Sequence, residues 1–228
     1  MIPLKDDNPT SNKPIVTYCL IGLCILIFLI QLSSQSYKTG HLFYSYGLIP
    51  SVLMGHEQLP MDLYAIPAYM TIFTSMFMHG GFMHIIGNML YMWIFADNIE
   101  DSLGSLKFLI FYILAGIGAA MTQVFMDTHS QIPMVGASGA IGGVLGAYLI
   151  NHPNAKVLVL IPFGFFSQLI KIKALYVLGF WFILQFISTG GGVAYAAHIG
   201  GFVSGIILIL FFNKKTKRKR KITKGPWG

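Results

Sequence analysis

Charge is scarce in this chain: aspartate, glutamate, lysine and arginine together supply 10% of the 228 residues, against 55% apolar. A soluble domain of this length needs about a quarter of its residues charged to clothe its surface, so an ordinary water-soluble globule is excluded and a bilayer must supply the missing solvent. Cysteine is nearly absent. Cys19 and Cys24 stand five apart inside the first apolar run, which excludes a disulfide scaffold and forms neither a zinc-ligand nor a redox spacing; both are read as lipid-buried packing residues. Carboxylates number eight, at 6, 7, 57, 62, 97, 100, 101 and 127, and are read as lying in loops or tails. No small-residue cleavage site follows the first apolar run, so that run is expected to be a retained helix and not a signal peptide.

Long apolar runs fill the rest. A hydrocarbon core of about 30 Å asks for roughly 20 mostly apolar residues per helical crossing. Such runs predict six crossings: 15–32, 82–96, 108–126, 138–150, and two more from the stretch 174–213, cut by the turn signal at 188–192. The fold class is therefore all-α, a polytopic bundle with a 1–14 N-terminal tail, a 15–213 membrane domain and a 214–228 basic tail. Between the first two helices, residues 33–78 form a long outer loop carrying Phe43, Tyr44, Tyr46, Pro50, Pro60 and Pro67, with Tyr64 and Tyr69 suited to the interface. The run 157–170 is short for a span, contains Pro162 and Gly164, and is flanked by Lys156, Lys171 and Lys173; it is expected to be a re-entrant or interfacial loop with both ends on the cytoplasmic side. The net charge of +7 comes largely from the tail beyond residue 213, which is read as a cytoplasmic stop after the last helix, not as a nucleic-acid patch. Both termini are then cytoplasmic, and loops 33–78, 127–135 and 188–192 face outward.

Polar groups in hydrocarbon need a partner or a reason. Three clusters stand out: Gly136-Ala137-Ser138-Gly139 at the start of the fourth helix, Ala197-His198-Ile199-Gly200-Gly201 near the outer end of the sixth, and His79, His84 and Asn88 around the entry to the second. With six crossings Ser138 and His198 fall within roughly 8 Å of the same depth, at 1.5 Å per residue; a seventh crossing at 157–170 would put them on opposite faces. Gly139 and Gly143, Gly142 and Gly146, and Gly201 and Gly205 are each four apart, removing side chains from stripes along which helix backbones approach closely. A serine hydroxyl becomes a nucleophile when a neighbouring imidazole takes its proton, so Ser138 and His198 form a candidate dyad, with the ring held by packing or a backbone carbonyl. His84 and Asn88, four apart on one helix face, are candidate oxyanion donors beside the Ser138 amide. His79 points elsewhere and is assigned a supporting role in fixing the loop or retaining water.

In order and spacing, His79, His84 and Asn88, then Gly136-Ala137-Ser138-Gly139, then Ala197-His198-Ile199-Gly200-Gly201 with Gly205, resemble the rhomboid intramembrane proteases over about residues 44–212. The resemblance implies a six-helix core with Ser138 as nucleophile, His198 as general base, and His84, Asn88 and the Ser138 amide lining an oxyanion hole. It implies transmembrane protein substrates met in the lipid bilayer and no cofactor; from the residues themselves no metal site and no nucleic-acid partner are expected. Two positions depart from the family's pattern: Met70-Thr71 stand ahead of the Ile72-to-Phe77 segment where many relatives carry Trp-Arg, and Gly142 stands where some place an aromatic on the base. Tyr91 or Tyr195 is expected to support the His198 ring instead. Other classes weighed are a non-catalytic rhomboid-like protein that binds membrane helices, a transporter or channel, and a metal site of His79, His84 and His198. The last lacks the i, i+4 histidine spacing of helix-borne zinc ligands.

Overall fold

A computed structural model of the chain describes residues 1–34, 40–163, 166–188 and 192–213. The basic tail, most of the 188–192 turn and the Gly164 turn lie outside the described residues. Among the described residues six long helices follow the apolar runs: α1 (Ile15–Ser33), α2 (Phe82–Leu103), α3 (Ser105–Met126), α4 (Ser138–Asn151), α5 (Ala174–Ile187) and α6 (Tyr195–Asn213). Of these, α1, α3 and α6 are long and apolar enough to cross a membrane, while α4 and α5 are shorter apolar helices.

The burial pattern shows why a bilayer is needed. On α1 the buried residues Thr17, Leu20, Cys24, Phe28 and Gln31 recur every three or four positions, one helical stripe turned to the bundle. The opposite face shows Leu26 (55% exposed), Leu29 (57%) and Ile30 (57%), and an apolar surface of that extent requires a non-aqueous covering. Cys24 packs inside the bundle core, and Cys19 is exposed on the outer face of α1. The chain is thus a multi-pass integral membrane protein.

At the centre, α4 is buried from Gly139 through Tyr148. Glycines on α4 and α6 make this packing possible. A Cβ on Gly201 would strike the carbonyl oxygen of Gly139, one on Gly205 the carbonyl of Gly143, and one on Gly146 the carbonyl of Phe202. The two helices therefore meet backbone to backbone, and α3 completes the layer through Ala115 and Ala119, which lie against Gly143 and Gly139.

The all-α expectation is corrected. A three-stranded antiparallel sheet, β1 (Ile2–Asp6), β2 (Lys156–Phe163) and β3 (Phe166–Lys173), runs in the order β1-β2-β3. The segment expected to be a re-entrant or interfacial loop is a β-hairpin, with Lys156 opposite Lys173 and Phe163 opposite Phe166. Val157 and Val159 are fully buried while Leu158 and Leu160 are only partly so, the period-two alternation of a strand packed on one face. An open sheet leaves edge N–H and C=O groups unpaired, so this one lies outside the hydrocarbon. Within residues 1–14, β1 pairs with β2 from Ile2 opposite Leu160 to Asp6 opposite Val157.

The carboxylates at 97, 100 and 101 also differ from expectation. They occupy the last turns of α2, which runs on to Leu103, and Gly104 (φ +79°) alone links it to α3. Glu100, 2% exposed, accepts hydrogen bonds from the backbone N–H groups of Val16 and Thr17 and the hydroxyls of Thr17 and Ser105. It thereby satisfies the donors left open at the start of α1.

Candidate active site

Ser138 is the first residue of α4 and His198 lies in the first turn of α6. Because the Gly139–Gly201 contact clamps these two helix ends together, Ser138 Oγ and His198 Nε2 stand 2.8 Å apart. Both residues line a cavity of about 940 Å³ shared with Met76, His84, Asn88, Tyr91 and Trp181.

The long loop sets the entry to α4. Leu48 and Met134 exchange backbone hydrogen bonds of 3.0 and 2.8 Å, and the Gly136 N–H donates to the Ser75 carbonyl at 2.8 Å. Thr74 Oγ donates to the Tyr46 carbonyl at 2.6 Å, and Thr71 Oγ to the Ala68 carbonyl at 2.6 Å. These bonds hold the loop around Met70 and Thr71. Gly136 has a φ of +128°, strained for any other residue, and an added Cβ would lie 2.6 Å from His84 Nε2. The bare backbone here lets the His84 ring lie against the Ser138 turn.

His84 and Asn88 stand on the same face of α2, as their spacing requires. The Gly80 N–H donates to Nδ1 of His84 at 3.3 Å. In the neutral ring the proton then sits on Nε2, the nitrogen beside Gly136, which is left as a donor toward the cavity. Asn88 is buried, and among the described residues its Nδ2 has no hydrogen-bond partner. The Ser138 amide is at the first helical position, where an α-helix supplies no acceptor of its own. His84, Asn88 and Ser138, each with such a donor, line the same cavity.

His79 is fully buried and does not line the cavity; its ring meets His84 edge to face at 5.2 Å. Its backbone is clamped to α1 by Gln31, which donates to the His79 carbonyl (3.2 Å) and accepts from its N–H (3.1 Å). Among the described residues no three histidine, cysteine, aspartate or glutamate side chains are grouped so as to hold a metal ion.

Support for the imidazole comes from an unexpected helix. The Trp181 ring of α5 lies 5.8 Å from that of His198, tilted by 31°, and its edge fills the space beside Gly142. Gln185, one turn further, places Oε1 2.8 Å from His198 Nδ1. Tyr195 meets the ring edge-on at 6.3 Å, and Tyr91 packs on Phe95. The partner at Nδ1 is thus a side-chain amide, where packing or a backbone carbonyl was expected, and the Trp181 ring supplies packing beside it. Gln185 and Gln31 had one sequence signal: each is the sole amide in its apolar run.

Fold and site together define a multi-pass helical membrane protein with a serine–histidine pair at a donor-lined cavity. Residues 67–215 match the family model for the Rhomboid domain, and the chain belongs to the rhomboid family. It is 27% identical to Rhomboid protein 1, mitochondrial, of Saccharomyces cerevisiae, over 68% of this chain and 45% of the yeast protein. It is 32% identical to Rhomboid protease GluP of Bacillus subtilis, over 86% of this chain and 34% of that one. To Rhomboid protease GlpG of Haemophilus influenzae it is 29% identical, over 88% and 92% respectively. The chain thus spans less than half the length of the first two and nearly all of the third.

Proposed function

We propose that this protein is an intramembrane serine endopeptidase that hydrolyses peptide bonds in or near transmembrane helices of other membrane proteins. The observation that carries the reading is the 2.8 Å approach of Ser138 Oγ to His198 Nε2 at the donor-lined cavity. Ser138 Oγ attacks the scissile carbonyl carbon while His198 Nε2 takes its proton. The oxygen that gains charge accepts hydrogen bonds from His84 Nε2–H, Asn88 Nδ2–H and the Ser138 amide, at the positive end of α4. His198 returns the proton to the departing amine, leaving an acyl ester on Ser138. Water then attacks the ester, with His198 again accepting a proton, and the hydroxyl is regenerated.

The membrane geometry suits such a substrate. At 1.5 Å per residue the 14 residues of α4 span about 21 Å, short of the roughly 30 Å hydrocarbon core. Six crossings with both termini and the lysine-bearing hairpin cytoplasmic, in the cell membrane, leave Ser138 below the outer surface. A helical substrate must first unwind there, since its carbonyls are bonded within the helix.

The test is a cleavage assay in detergent or proteoliposomes with a single-span substrate. Wild-type protein cuts, and Ser138→Ala and His198→Ala each abolish cutting with an unchanged melting temperature. Cutting by Ser138→Ala at the wild-type rate overturns the assignment. A wild type that retains the substrate uncut points instead to a helix-binding member of the family.

A further inference from the structure

A serine–histidine pair works only if the imidazole nitrogen facing the hydroxyl is unprotonated. A neutral ring carries one proton, on either Nδ1 or Nε2, and the partner of the far nitrogen decides which. Among the described residues, the ring is faced by Ser138 on α4, Trp181 and Gln185 on α5, Tyr195 on its own helix, and His84 across the cavity. Of these, Gln185 is the group bonded to Nδ1.

The Gln185 amide has two possible orientations, and its second hydrogen bond chooses between them. Its other terminal atom lies 2.6 Å from the main-chain carbonyl oxygen of Trp181. That carbonyl can only accept. Were the amide turned over, two oxygens would face each other at that distance with no proton between them, in a site where Gln185 is 8% exposed. Nε2 therefore donates to the Trp181 carbonyl, and Oε1 faces His198 Nδ1. An amide oxygen has no proton to give, so Nδ1 carries the hydrogen and Nε2 presents its lone pair to the Ser138 hydroxyl.

We propose that Gln185 is a positioning residue that fixes His198 as the Nδ1–H tautomer through a relay running from the Trp181 carbonyl through the Gln185 amide to Nδ1, leaving Nε2 free to accept the serine proton. The proposal rests on the reading of Ser138 and His198 as nucleophile and base, and it assigns to a neutral amide on α5 the orienting task that a carboxylate performs in serine–histidine–aspartate triads. Because the amide carries no charge, it needs no countercharge inside the membrane. Trp181, one turn away, covers the ring face beside Gly142 and so leaves the ring one plane in which to meet both partners.

The experiment uses the full-length protein labelled with 15N at histidine, in detergent, with the His198 signals assigned by their loss in His198→Ala. Two-bond 15N–1H correlations in wild type show a protonated Nδ1 and a bare Nε2. Gln185→Met, of similar shape but without acceptor or donor, loses this fixed tautomer. It also lowers kcat for the single-span substrate on the order of 10²-fold, with KM nearly unchanged. Gln185→Glu restores both at pH values where the carboxyl is protonated, since its O–H then donates to the Trp181 carbonyl while its other oxygen accepts from Nδ1–H. A wild-type spectrum with the proton on Nε2 overturns the proposal, as does a Gln185→Met protein whose tautomer and kcat match wild type. The wild-type spectrum needs no Gln185 variant to fold. Should wild type cut no substrate, the protease reading falls while the spectrum still decides the tautomer.

Discussion

The α-carbon of Gly201 lies against the carbonyl oxygen of Gly139, with no room for a methyl group between them. Each glycine is one or three residues from a group of the site, so this contact sets the distance between Ser138 and His198. A Gly201→Ala substitution must push α6 away from α4, at a cost of about 1–3 kcal/mol for overpacking. Thermal unfolding in detergent is expected to show the loss, and cleavage to fall further than unfolding accounts for. Gly22→Ala on α1, where an added Cβ meets nothing within 4 Å, is the control and leaves both unchanged.

Removing a donor from the cavity wall is expected to slow chemistry and spare binding. His84→Ala and Asn88→Ala should each lower kcat roughly 10²-fold, as loss of one oxyanion donor does elsewhere, with little change in KM. Gly136→Ala should mimic His84→Ala, because its methyl group would displace the ring. Steady-state kinetics on a single-span substrate check all three; a rise in KM alone would instead make these residues substrate contacts.

A pH dependence of stability is expected from the sheet. Burial raises the Asp6 carboxyl from 3.8 to about 6, with Asp97 and Asp7 nearby adding to the rise and the Tyr148 hydroxyl, which donates to it at 2.5 Å, opposing it. A raised folded value means that the native state holds the proton more tightly than the unfolded chain. The stabilisation is complete below the unfolded value and is lost as pH rises through the folded one. Relative to Asp6→Asn, the wild-type melting temperature should therefore decline between about pH 4 and 6 and stay lower above that range. Parallel melting curves across that range would remove Asp6 from this role.

Much of the scaffold is legible in the order of residues. The helices follow the apolar runs, and α2 outruns its expected end at 96 because the acidic residues read as a turn continue the helix and bind the start of α1. The sheet is not legible, because β2 reads as an unbroken apolar run. Its alternation becomes visible only against β1, more than 150 residues away in the chain. The polar pattern around Ser138, His198, His84 and Asn88 is likewise present in the residue order. The holder of the imidazole shows there only as a lone amide in an apolar run, and nothing in the residue order says that Gln185 meets His198.

Taken alone, the residue order determines that this is a membrane protein of the rhomboid family, which polar side chains are the candidates for chemistry, and where backbones are bare enough to touch. Those properties are local: they depend on what each residue is and how it is spaced. Tertiary structure decides which atoms face which. It brings Ser138 Oγ to His198 Nε2, turns the Gln185 oxygen toward Nδ1, and pairs the N-terminal strand with a distant hairpin. Each depends on the relative placement of two helices or strands, which arises from packing between segments that are remote along the chain.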